Sequence, residues 1–163
     1  MICIFNSQYY KYLYTQKVLE VGKVFPQVKL AYLKDLPFPV ISQENQAPFI
    51  EKAQVMLDLN QQLNNLSSKF IKLLSADLAV AKITKKLENW FSLSNQEFFA
   101  EVGKQNKQLA LNLKSQWLEY FETQKQQALA LQNQINQTDN QIDTMVYALY
   151  GLNQEEIATV EQG

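Results

Sequence analysis

Asp139 and Asp143 are the two carboxylates best spaced to act together, because an i, i+4 separation puts both on one side of a helix. Two acids alone hold a divalent ion poorly against water, so the pair is expected to be solvated rather than a metal site. No histidine occurs anywhere in the chain, which removes imidazole acid–base chemistry and any Cys/His zinc set. Cys3 is the single cysteine; it has no internal disulfide partner and no imidazole to activate it. The four glycines are scattered and form no phosphate-cradling loop. These residues imply no catalytic group, no metal and no cofactor.

Basic residues offer a different chemistry. All 15 are lysine, so the planar fork that reads guanine or grips phosphate bidentately is missing. Their distribution is uneven: residues 1–34 hold Lys11, Lys17, Lys23, Lys29 and Lys34 against Glu20 alone, whereas residues 126–163 hold five acids and no lysine. A polyanion is therefore expected to meet those five lysines, weakly and without sequence preference. Three to five engaged phosphates predict a slope of log affinity against log salt of roughly −3 to −4.5. Lys82, Lys85 and Lys86 form a second, more ordinary group.

The elements that must carry these residues are mostly helical. Residues 2–14 are dense in Ile, Phe and Tyr, with aromatics at Tyr9, Tyr10, Tyr12 and Tyr14, and fit either a strand or a short amphipathic helix. The stretch Val24 to Leu30, interrupted by Pro26, suggests an edge strand. Leu36-Pro37-Phe38-Pro39-Val40 cannot be helical and reads as a stiff linker dividing the chain near residue 40.

Beyond it, Pro48 is expected in the first turn of a helix over 47–75, with an inward stripe at 53, 56, 60, 63, 67, 70 and 74. Two short helices follow, the second capped by Ser94 with Glu97 completing a capping box. Positions 117, 121, 124, 128, 131, 135, 138, 142, 145 and 149 then step by four and three, a heptad seam broken only by Gln124 and Thr138. Gly151 is the expected C-cap, and Asn153-Gln154-Glu155-Glu156 starts a last short helix.

The fold class implied is mainly α: a long antiparallel, coiled-coil-like helical hairpin of residues 47–75 and 115–149, with short added helices and a small N-terminal β or mixed portion. Placing Leu131 or Ile135 at the seam predicts a cost of about 2–5 kcal/mol for truncation to alanine. A length of 163 residues and 47% hydrophobic content fit one or two compact soluble units. No apolar run approaches the roughly 20 residues that span a bilayer. The N-terminus lacks a basic, apolar and cleavable leader pattern, so a cytoplasmic protein is expected.

Several segments carry a resemblance. Val24-Phe25-Pro26-Gln27-Val28-Lys29, Leu33 to Pro39, Gln46 to Ile50, Leu87 to Trp90, Trp117 to Glu122 and the tail Thr138 to Leu152 are similar to the TaqI-like C-terminal specificity domain. That domain belongs to type IIG restriction-modification enzymes and related adenine-specific DNA methyltransferases. The most specific part is the tail, an Ile-Asp pair before Val146-Tyr147-Ala148-Leu149-Tyr150-Gly151-Leu152.

The resemblance implies a remnant of a target-recognition domain over 1–40 and a helical spacer and specificity domain over 41–163. In that family a nuclease and a methyltransferase using S-adenosylmethionine come first. The methyltransferase signature Asn-Pro-Pro-Tyr is missing here, and Asn6 to Tyr10 looks like a late recognition-domain segment. The expectation is a non-catalytic C-terminal part whose partners are DNA and the methyltransferase and nuclease portions of a restriction-modification system. Two rivals stand beside it: a self-associating coiled coil, possible as a homodimer, favoured by 21 Gln, 13 Asn and no Arg; and a subunit that docks through exposed aromatics near Tyr9 to Tyr14.

Overall fold

The computed structural model describes residues 2–17 and 34–162, and every regular element among them is a helix. In chain order these are α1 (Ile2–Phe5), α2 (Gln8–Lys17), α3 (Gln43–Asp77), α4 (Lys85–Glu88), a 3₁₀ turn at Trp90–Ser92, α5 (Asn95–Gly103), α6 (Leu111–Tyr150) and α7 (Gln154–Gln162). The N-terminal aromatic stretch, compatible on sequence with strand or helix, is helical. The edge strand expected over Val24 to Leu30 lies outside the described residues, so the N-terminal β portion of the expected fold is not seen. At 35 and 40 residues, α3 and α6 are the two long helices.

Both long helices outrun their expected limits. Ser42 starts α3 five residues before Ala47: its hydroxyl accepts the Asn45 N–H at 3.4 Å and its carbonyl takes the Gln46 N–H at 3.1 Å. Pro48 therefore sits in the second turn, where its missing N–H leaves the Glu44 carbonyl without an i+4 donor in an exposed stretch.

The chain forms two compact units, and α3 and α6 contribute to both. In the unit of residues 57–135, the core is built on Phe70, Leu74, Leu78, Val80, Leu87, Trp90, Phe98, Val102, Trp117 and Phe121. Rings dominate it. Phe70 stacks on Trp90 with centroids 3.7 Å apart, and Phe98 on Phe121 at 4.3 Å, burying large apolar surface. Within this unit the two long helices are in contact and run antiparallel: Phe70 meets Tyr120 and Phe121, while the earlier Gln62 and Leu66 share a groove with the later Gln127 and Leu131.

Side chains close the connections of this unit. Ser94 caps α5 through the expected box: its hydroxyl accepts the Glu97 N–H at 3.2 Å, and its own N–H donates to Glu97 Oε2 at 2.8 Å. Gln105 pairs with the Lys82 backbone in both directions, and Asn106 donates to the Leu78 carbonyl at 3.1 Å. These bonds fix the turn in which Ala79 takes a φ of 52° between the fully buried Leu78 and Val80.

The other unit gathers α1, α2, residues 34–56, the end of α6 and α7 around Cys3, Ile4, Tyr10, Leu36, Phe49, Ile142 and Val146. Gly151, at a φ of 67°, ends α6 as expected. Its N–H reaches the Ala148 carbonyl and the Leu152 N–H reaches Tyr147, the paired bonds of a left-handed C-terminal cap. Asn153 Oδ1 then accepts from Glu155 and Glu156 to start α7, which packs on α2.

The inward stripes depart from the expected heptads. Along α6 the buried positions are Trp117, Phe121, Ala128, Thr138, Ile142, Asp143, Val146 and Tyr147, whereas Leu131, Ile135, Met145 and Leu149 are only half-buried. Trp117 to Ala128 is 11 residues and Ala128 to Val146 is 18, both near whole turns at 3.6 residues per turn. A helix that keeps this period drifts about 20° per heptad against a 3.5 repeat, so a strict heptad spacing does not follow its buried positions along its length. On α3, Leu59 is buried in place of its expected neighbour Asn60, since leucine carries no amide to desolvate.

Candidate nucleic-acid interface

Lys11 lies exposed on α2, Lys17 exposed at its last residue, and Lys34 exposed in the turn before the proline segment. Lys23 and Lys29 lie outside the described residues. Lys17 Nζ donates to the Asp35 carbonyl at 2.8 Å, so the end of α2 is tied to the segment that carries Lys34. Lys85 and Lys86 are exposed on α4; the carboxyls of Glu97 and Glu101 are held low chiefly by their bonds to Ser94 and to Lys104, with a small contribution from the charge of Lys86.

The proline segment is anchored from two sides. Tyr150, in the tail of α6, donates its hydroxyl to the Pro37 carbonyl at 2.8 Å, and Tyr10 of α2 reaches the same oxygen at 3.5 Å. Phe38 then stacks on Phe5 with centroids 5.5 Å apart, and the Phe5 ring edges onto Tyr10 at 5.0 Å. The aromatic run near Tyr9 to Tyr14, expected to be exposed for docking, is not: Tyr10 is buried and Tyr9, Tyr12 and Tyr14 are half-buried. Among the described residues the exposed rings are Phe5 and Phe38, at 44% and 36%.

Asp143 also differs from its expected solvated state. It is buried, and its Oδ1 accepts the Gln8 N–H at 2.8 Å, so it satisfies one of the free donors at the start of α2. Burial pushes its carboxyl above the usual aspartate range. The Gln8 bond opposes this, and Asp139 and Glu161 add to it. One turn on, Tyr147 is buried with its hydroxyl unpartnered, and burial with the charges of Asp143 and Glu161 raises its pKa to about 12. Asp139 remains exposed, and no group of three metal-ligating side chains occurs among the described residues. Cys3 is buried with its thiol donating to the Phe49 carbonyl, and burial raises its pKa.

A further surface lies in the unit of residues 57–135, where a groove of about 480 Å³ is lined by Gln62, Asn65, Leu66, Lys69, Gln127 and Leu131 among others. One comparison with known proteins assigns the helical body that presents it. The chain belongs to the DUF8810 family. That family, a domain of unknown function, matches residues 42–146, from the Ser42 cap of α3 to Val146 in α6. The DUF8810 match thus takes in α3 to α5 and most of α6, and leaves α1, α2, the proline segment and α7 outside it. No curated protein and no solved structure matches the chain. No helix among the described residues is long and apolar enough to cross a membrane.

Proposed function

We propose that this protein is a non-catalytic specificity and spacer part of a type II restriction-modification enzyme, positioning a recognition module relative to methyltransferase and nuclease parts. The observation that carries the reading is the Tyr150 to Pro37 hydrogen bond. Two of the stretches that carry the resemblance, Leu33 to Pro39 and the tail Thr138 to Leu152, meet at that bond, whose partners are 113 residues apart in sequence. Helices of 35 and 40 residues are the kind of element a spacer is built from.

Two measurements test the proposal. Fluorescence anisotropy on a labelled duplex is expected to show weak binding with a log–log salt slope of roughly −3 to −4.5. Lys11→Glu with Lys34→Glu should abolish it, while Lys72→Glu with Lys107→Glu leaves it nearly intact. Incubation of the pure protein with labelled S-adenosylmethionine and DNA should transfer no methyl group. Methyl transfer would end the non-catalytic reading, and absence of DNA binding at low salt would remove direct contact with DNA. The groove of Gln62, Leu66, Gln127 and Leu131 favours a second reading, a coiled-coil interaction protein that pairs through amide-rich faces. Sedimentation as a dimer that Leu131→Glu dissociates would support it.

A further inference from the structure

Phe5 and Phe38 are out of keeping with their surroundings. Tyr10 beside them is buried to 2%, yet these two phenyl rings, stacked on each other, leave 44% and 36% of their residue surface in water. Rings that served only to pin the proline segment would not need to stay open, since the Tyr10 and Tyr150 hydroxyls already hold Pro37. Next to Phe38, Val40 is fully exposed, so the apolar surface continues along the segment.

Three exposed lysines lie on the elements that carry this pair, beside the acids Asp35 and Asp143, the latter held at the Gln8 N–H. Lys34 lies four residues before Phe38, Lys17 is tied to the Asp35 carbonyl in the same segment, and Lys11 follows Tyr10 on α2. Phe5 and Phe38 both meet Tyr10, while Tyr9 beside it meets Tyr150 and feels the charge of Glu156. Open rings beside lysines are what unpaired nucleobases require, because every base has a face to stack and every nucleotide a phosphate to neutralise. Lysine without arginine gives such a surface backbone attraction with no base-edge reading.

We infer that Phe5 and Phe38, with Lys11, Lys17 and Lys34, form a stacking site for unpaired bases of single-stranded nucleic acid. This rests on the DNA-contact reading above and narrows it: the preferred form is single-stranded or locally opened, not intact duplex.

The test uses the full chain and two labelled probes at low salt, a 20-nucleotide oligothymidine and a 20-base-pair duplex. The single strand should bind more tightly. Phe5→Leu with Phe38→Leu keeps apolar bulk but removes the π faces, and should weaken oligothymidine binding by about tenfold while leaving the duplex nearly unchanged. Circular dichroism and the thermal midpoint confirm that the variant is folded, and the single change Phe38→Leu, on the exposed segment, repeats the test if the double variant is not. Lys34→Glu should weaken both probes alike. Equal affinity for both probes, indifferent to the leucine changes, would overturn the stacking site and leave the DNA-contact reading standing. No binding of either probe would overturn both. A dimer that the leucine changes dissociate, with nucleic-acid affinity unmoved, would reassign the rings to contact between copies of the chain and overturn the proposal.

Discussion

Truncating Phe121 should unfold the unit of residues 57–135 far more readily than truncating Leu131, although both occupy the heptad seam expected from sequence. Phe121 is fully buried and stacks on Phe98 at 15° between ring planes, so alanine there removes a ring from a closed aromatic core. Such changes cost about 3–5 kcal/mol, and the lost ring pair places this one toward the upper end. Leu131 is half-buried and lines an open groove, so water enters where its side chain stood and no cavity forms. About half of the 1.5–3 kcal/mol of a fully buried leucine is at stake, or roughly 1 kcal/mol. For a chain of this length each kcal/mol moves the thermal midpoint by about 2–4 °C, giving roughly 6–20 °C for Phe121→Ala and 2–4 °C for Leu131→Ala. Both tryptophans, Trp90 and Trp117, belong to this core, so intrinsic tryptophan fluorescence during heating or urea unfolding reports the right unit. Equal midpoint shifts from the two variants would refute the difference in burial between Phe121 and Leu131.

Asp143→Asn tests the buried carboxylate. An acid whose pKa is raised on folding binds its proton more tightly in the folded state, so stability falls as pH rises from the ordinary aspartate value through the raised one. The amide oxygen of asparagine still accepts the Gln8 N–H and carries no charge, so the variant should be at least as stable as the parent at pH 7 and should lack that fall. Urea titrations at several pH values give the comparison, and a less stable variant at pH 7 would show that the carboxylate charge itself holds α2. Ser94→Ala removes the hydroxyl that caps α5 and should cost about 1 kcal/mol, read as a midpoint loss of roughly 2–4 °C. An unmoved midpoint would mean that Glu97 alone secures the start of that helix.

Local signals in this sequence were legible wherever one or two residues determine the geometry. Ser94 and Glu97 announce a capping box because the reciprocal bonds need only those side chains three residues apart, and Gly151 announces a stop because few other residues take a positive φ. Stripe positions beyond the first heptads were not legible, because the step from a 3.5 to a 3.6 period is set by whether the helix coils around a partner. That choice depends on tertiary contacts, and a single chain's spacing of four and three fits both. Pro48 misplaced the start of α3 for a related reason: first-turn preference is statistical, and the Ser42 cap, which fixes the actual start, sits among other polar residues.

The site shows the same division more sharply. A count of lysines locates the positive end of the chain, since charge needs no fold to exist, and Lys11, Lys17 and Lys34 are exposed there. Which aromatics face water could not be counted in that way. Residues 2–17 contain aromatics at almost every turn, and an amphipathic helix buries whichever face its neighbours cover. Here the covering comes from distant parts of the chain: Phe49 and Val146 join Tyr10 in one core, and the Gln8 N–H is held by Asp143, 135 residues away. Asp143 was misread for that reason, because its i, i+4 partner Asp139 suggested a shared solvated face, while the donor that draws it inward is far off in sequence. The exposed stacking of Phe5 on Phe38 is likewise a contact between α1 and the proline segment, whose Pro37 carbonyl Tyr10 and Tyr150 hold. If that fastening is what presents the rings, Tyr150 acts on the proposed stacking site without touching a base, through the carbonyl it holds.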